Sequence, residues 1–199
     1  CGGLLHGCEA FVRVLAQDAG IALPEGRVAA GNVFLPRGEE DAARCRESLE
    51  RELQRVGLPI AGWRIVSTDD RVCGALARSN MPRIEQAFIA DPGSDGDAFE
   101  RNLYLARRRT EQALRDVTDF HVVGLSAKLL GYKGMVLPEH LRTLYPDLAH
   151  PALSARVVVF HQRFSTNTQP RWPLAQPFRR LAHNGEINSI AGNRAWAQS

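Results

Sequence analysis

The sequence predicts an α-plus-β layered domain with a largely antiparallel sheet, and three observations carry that reading. Long stretches repeat apolar residues at helical spacing, which marks amphipathic helices. Shorter runs rich in Val, Ile and Phe read as strands, two of them close enough to pair as a hairpin. No internal repeat and no linker divides the 199 residues, so they read as one unit.

The elements follow in order. Cys8 to Ala19 reads as a helix, with Phe11, Val14 and Leu15 on one face and Gly20 as the stop. Val28 to Leu35 reads as a strand ended by Pro36. In Glu39 to Val56, Ala42, Cys45, Leu49, Leu53 and Val56 recur at helical spacing, and Gly57 follows as the C-terminal glycine. Ile60 to Val66 and Ile84 to Ala90 read as strands. Asp91 to Gly96 is a loop by composition, and a helix is expected from Asp97 to Arg115. Phe120 to Leu125 and Leu129 to Val136 read as the hairpin. Leu141 to Leu148 reads as a short helix or turn interrupted by Pro146. Arg156 to Phe160 is nearly continuous apolar residues, which predicts a buried central strand.

Composition narrows the function. With 44% hydrophobic and 24% charged residues, a disordered or fibrous chain is excluded. No apolar run approaches the roughly 18 residues that span a bilayer. Of 25 basic residues only Lys128 and Lys133 are lysines, and most of the arginines alternate with acids. The run Arg107-Arg108-Arg109 lies on an expected helix near Glu100 and Glu111, so a solvated face accounts for it better than nucleic-acid binding does. Cys1, Cys8, Cys45 and Cys73 match neither a metal-site spacing nor a disulfide framework. Free thiols in a reducing cytoplasm are expected, with Cys45 a small core residue; no metal site is expected.

The chemistry is concentrated between His161 and Arg194. Arg163 lies just past an expected strand and is followed by the hydroxyls of Ser165 and Thr166, a pairing suited to clamping a carboxylate. Asn184-Gly185 offers a side-chain amide and a backbone N–H, two donors that can converge on one oxyanion. Trp172, Pro173, Pro177 and Phe178 read as an apolar wall between the two elements. Each signal alone is weak: Asn-Gly is a common hairpin turn, and an arginine after a strand is commonly a structural ion pair. His161 and His183 are assigned no catalytic role.

The joint order is specific. His161-Gln162-Arg163-Phe164-Ser165-Thr166-Asn167, then Trp172 to Arg179, then Leu181-Ala182-His183-Asn184-Gly185-Glu186-Ile187-Asn188, resembles the glutaminase domain of the glutamate synthase large subunit. Met81 to Gln86, Tyr132-Lys133-Gly134-Met135 and Tyr145 to Ala149 extend the resemblance upstream, so that it covers residues 1–199 as a partial class II glutamine amidotransferase domain. It implies an N-terminal-nucleophile hydrolase-like αββα sandwich, incomplete here.

Residue by residue, the resemblance gives Arg163 the α-carboxylate of L-glutamine and gives Thr166 a part in fixing the substrate's polar end. Asn184 and Gly185 hold the tetrahedral oxyanion. It further implies ammonia transfer to 2-oxoglutarate within a longer large subunit, and a small electron-supplying subunit as partner. Flavin mononucleotide and an iron–sulfur cluster belong to the synthase half, with none expected in this chain. No nucleic acid or membrane partner is expected.

The family's nucleophile is a cysteine at the mature N-terminus, and Cys1-Gly2 imitates that start. The run from Cys1-Gly2-Gly3-Leu4-Leu5 into Phe11 instead resembles an internal family segment. The expectation is therefore that Cys1 is a truncation point, that the nucleophile lies outside these residues, and that the isolated chain lacks glutaminase activity. Two alternatives stay open: Cys1 as a working nucleophile of a shortened amidohydrolase, and a non-catalytic interaction module on the same fold.

Overall fold

The structure, a computed structural model, describes residues 1–164, 169–178 and 196. In chain order the regular elements are β1 (Gly2–His6), α1 (Glu9–Asp18), β2 (Val28–Leu35), α2 (Glu39–Arg55), β3 (Ile60–Ile65), α3 (Ala75–Ser79), β4 (Arg83–Ala90), α4 (Gly96–Ala113), β5 (His121–Val122), β6 (Leu129–Lys133), α5 (Leu141–Leu144) and β7 (Val157–His161). Short 3-10 turns fill several of the connections.

Two open antiparallel sheets result, one of four strands in the order β3-β4-β2-β5 and one of three in the order β6-β1-β7. The two-residue period of β2 and β4 divides their side chains between two cores. Ala29, Val33, Leu35, Ala87 and Ile89 pack with Leu49 and Leu53 of α2 and with Phe99 and Leu103 of α4. Val28, Ala30, Phe34, Ile84 and Phe88 pack on the other side with Leu5 of β1, Leu130 and Tyr132 of β6, and Phe11 and Leu15 of α1. The described layers are thus a helix pair, the four-stranded sheet and the three-stranded sheet. The fold is α+β, as expected.

α2 shows how the sequence builds its element. Glu39, Glu40 and Asp41 complement the helix dipole in its first turn. Leu49 and Leu53 are fully buried, each worth about 1.5–3 kcal/mol in area removed from water. Gly57 ends the helix at φ +76°, a conformation that lets Leu58 N–H reach the Leu53 carbonyl at 2.9 Å.

Two expectations need correction. Phe120 to Leu125 and Leu129 to Val136 do not form a hairpin: β5 pairs with β2, while β6 pairs with β1 in the other sheet. The connection between them crosses from sheet to sheet, because Ser126 bonds back to Ala30 and Glu100 accepts from Ser126 Oγ and the Ala127 N–H. The apolar run ending in Phe160 is a strand but is not buried. β7 forms an edge among the described residues, and Val157, Val158, Val159 and Phe160 are 46–67% exposed. A continuous apolar run reports that both faces require cover, not that these residues supply it.

Candidate functional site

The end of the three-stranded sheet gathers the described part of the site. Gly2 lies between Lys133 and His161 on one rung of the ladder. A Cβ at Gly2 would collide with Lys133 Cβ and stand 2.7 Å from the Gln176 carbonyl oxygen, so only glycine lets residues 172–178 pass over this rung. Cys1 leads into the same rung: its nitrogen donates to the Gly134 carbonyl and its carbonyl accepts from Gly134 N–H, both at 2.8 Å.

Arg163 leaves β7 two residues after His161. It is exposed, and its backbone N–H donates to His161 Nδ1 at 3.2 Å. Thr166, Asn184 and Gly185 lie outside the described residues. Arg163 is thus the one predicted site residue whose position the structure gives, at the expected strand end.

The predicted apolar wall divides. Trp172 is a core residue: its ring meets Phe34 edge-on with centroids 6.0 Å apart, and its indole N–H donates to the Ala77 carbonyl at 3.0 Å. Pro173 and Phe178 face Lys133 instead. Lys133 Nζ donates to the Pro173 carbonyl at 2.7 Å and stands 4.9 Å from the Phe178 ring centroid. Lys133 is 2% exposed, and burial pushes its ammonium down to about 7. Glu111 of α4 favours the charge there and Arg107 opposes it.

Pro173 and Phe178 also border a cleft of about 1210 Å³ between α4, the α4–β5 connection and residues 171–178, with Arg107, Glu111 and His121 on its walls. Arg163 does not line it. Burial holds His121 well below the usual imidazole range, with Lys133 and Arg107 adding to the effect, so the ring is neutral.

The upstream motif blocks converge in a way that sequence reading does not reveal. Asn32 Nδ2 donates to the Gly131 carbonyl, and its Oδ1 accepts from Gln86 Nε2, each at 2.9 Å. Gln86 Oε1 accepts from Arg64 Nε at 2.8 Å; Arg64 in turn grips Asp147, and Tyr132 Oη donates to that carboxylate at 2.7 Å. Gln86, Tyr132 and Asp147 come from three separate blocks, and they form one buried network joining the sheets. Burial, followed by the Asp147 charge, holds the Tyr132 phenol well above its ordinary range.

All four cysteines are buried and free. Burial raises the thiols of Cys8, Cys45 and Cys73, and Cys45 sits in the core between α2 and the sheet as expected. Among the described residues no three His, Cys, Asp or Glu side chains group to hold a metal. No described helix is long and apolar enough to cross a membrane. In the arginine run of α4, Arg107 and Arg108 both pair with Glu111.

Comparison with known proteins adds the family context. The family described as Glutamine amidotransferases class-II matches residues 1–199. The chain is 44% identical over 195 residues to the glutamate synthase [NADPH] large chain of Azospirillum brasilense, a match covering 96% of this chain and 13% of that protein. It is 41% identical over 178 residues to ferredoxin-dependent glutamate synthase 2 of Synechocystis, covering 88% and 11%. Against ferredoxin-dependent glutamate synthase 1 of Arabidopsis thaliana the identity is 37% over 194 residues, covering 95% and 12%. The chain therefore spans 11–13% of the length of these curated relatives.

Proposed function

The chain belongs to the class II glutamine amidotransferases, and on that premise we propose that it is part of the glutamine-hydrolysing domain of a glutamate synthase large subunit. The observation that carries this is the family match over residues 1–199 together with relatives that are glutamate synthases.

In this reading the Arg163 guanidinium, presented just past β7, binds the α-carboxylate of glutamine bidentately, and the Thr166 hydroxyl adds a bond to the substrate's polar end. A cysteine thiolate attacks the side-chain amide carbon. The carbonyl oxygen becomes an oxyanion held by the Asn184 side-chain amide and the Gly185 backbone N–H. The proton given up by the thiol passes to the amide nitrogen, the C–N bond breaks and ammonia departs; a glutamyl thioester remains, which water hydrolyses to glutamate while the thiol is restored.

We assign the nucleophile to a cysteine outside these residues. That assignment is supported by Cys1, which is 3% exposed and whose nitrogen and carbonyl are both committed to Gly134. The ammonia is passed to 2-oxoglutarate by the rest of the large subunit, where flavin mononucleotide and an iron–sulfur cluster act; a small subunit supplies electrons. The exposed strand β7 is the surface we give to contact with the rest of that subunit, since an apolar edge strand needs cover. No nucleic acid or membrane partner is assigned, and four free thiols fit a cytoplasmic location.

The test is glutamine-dependent ammonia release by the full-length protein that carries this segment. Arg163→Lys is expected to raise KM for glutamine on the order of tenfold or more, by losing the bidentate clamp. Asn184→Ala is expected to lower kcat by roughly 10²–10³. Cys1→Ser should leave hydrolysis in place; its loss would move the nucleophile to Cys1. A wild-type protein that releases no ammonia from glutamine would overturn the reading.

A further inference from the structure

Lys133 is a buried cation that the hydrolytic steps above do not use. It ends β6, shares a rung with Gly2 and with His161, and so stands on the same sheet end from which Arg163 departs. Its backbone carbonyl accepts the Tyr145 hydroxyl at 2.8 Å, which anchors the residue itself. Its ammonium donates to the Pro173 carbonyl and stands over the Phe178 ring. Phe178 is 37% exposed, so apolar burial alone does not hold it in place. From Phe178 the chain has only six residues to reach Asn184 (184 − 178).

We infer that Lys133 is a positioning residue for glutamine hydrolysis: its ammonium clips residues 172–178 across the end of the three-stranded sheet and so fixes Phe178, six positions before Asn184 in the sequence. This rests on the proposed function above. The choice of side chain supports it. A buried ammonium carries a desolvation penalty, and an apolar residue would fill the space without it. The chain otherwise uses arginine for nearly all of its positive charge, and arginine cannot give up its proton. With its ammonium lowered to about 7, Lys133 loses charge near neutrality. The charged groups acting on it are Glu111, which favours the ammonium, and Arg107, which opposes it, both from α4; its own charge in turn helps to hold His121 of β5 neutral.

The sign follows from the charged form being the one that interacts with Phe178 and makes the stronger bond to Pro173. The clip is fully formed below pH 7 and weakens as pH rises through that value. The experiment follows kcat and KM for glutamine hydrolysis against pH in the full-length protein, in wild type, Lys133→Met and Lys133→Arg. Lys133→Met is expected to lower kcat roughly tenfold at pH 6, the cost of a lost charge-assisted bond. KM should barely change, because the Arg163 clamp is untouched, and the downward limb near pH 7 should vanish. Lys133→Arg is expected to recover much of kcat and to lack that limb as well.

Phe178→Leu removes only the ring from an exposed side chain. It should move the limb to lower pH and reduce kcat about threefold. Wild-type kcat and an unshifted limb in Lys133→Met or in Phe178→Leu would overturn the inference while leaving glutamine hydrolysis standing. A wild type that releases no ammonia from glutamine would overturn both.

Discussion

Tyr132 and Asp147 are joined by a 2.7 Å hydrogen bond in which the phenol donates, and Arg64 grips the same carboxylate from the opposite sheet. The pair lies deep enough that neither partner can be rescued by water: Asp147 is buried and the Arg64 side chain is 11% exposed. Removing one partner leaves a buried charge uncompensated. Asp147→Leu is expected to destabilise the chain by about 3–5 kcal/mol. The double change Arg64→Met with Asp147→Leu should cost clearly less than Asp147→Leu alone. Urea unfolding of the 199-residue chain measures both, and equal costs for the single and double variants would refute the buried-pair account.

Lys133 sets a pH dependence of stability with a definite sign. Its proton is held to about 10.5 in the unfolded chain but only to about 7 in the folded one. Between those values the unfolded state binds more protons, so stability rises with pH, and below about 7 the burial penalty is fully felt. The gain should be visible from pH 7 to 8.5. Above about pH 9 the thiols of Cys8, Cys45 and Cys73, which burial raises from 9.0, act in the opposite direction. Lys133→Met should flatten the rise and stabilise the chain at pH 6.5. Urea midpoints at pH 6.5 and 8.5 decide this, and an unchanged slope in the variant would contradict it. The same proton thus trades stability against the clip over residues 172–178.

The exposed edge strand predicts behaviour in solution. A strand carrying Val157, Val158, Val159 and Phe160 at 46–67% exposure is a template for pairing with a second chain. Expressed alone, the 199-residue chain is expected to self-associate. Phe160→Lys, at the most exposed of these positions, should shift it toward monomer with stability changed by only about 0.5 kcal/mol, as for a surface site. Light scattering across a concentration series reads this out; a wild-type monomer at high concentration would contradict it.

The elements that were legible in the sequence are those whose periodicity matches a core supplied by these same residues. Val28–Leu35 and the helix from Glu39 follow the expected limits because β2 and α2 bury their apolar positions against one another's layers. Phe120 to Val136 is not a hairpin because neighbours in sequence compete with distant strands for pairing, and here the distant strands win. The competing partners, β2 and β1, lie 87 to 131 residues upstream, and only their registers reveal them. Arg163 was legible as a residue just past a strand. The part played by Lys133 was not, since its partners Pro173 and Phe178 are some 40 residues away in sequence. The one available signal was its being a lysine in a chain that otherwise prefers arginine.

By itself the sequence determined the α+β class, most of the helices and strands, and the family, because apolar periodicity and motif order are local properties of the chain. Tertiary structure alone decided which strands share a sheet, that β7 is an exposed edge among the described residues, and that Trp172 belongs to the core while Phe178 does not. It also decided that Gln86, Tyr132 and Asp147 meet in one network. The physical reason is common to all of these. Pairing, burial and desolvation depend on groups brought together from distant positions, and the energy of each contact exists only once the layers have closed over it.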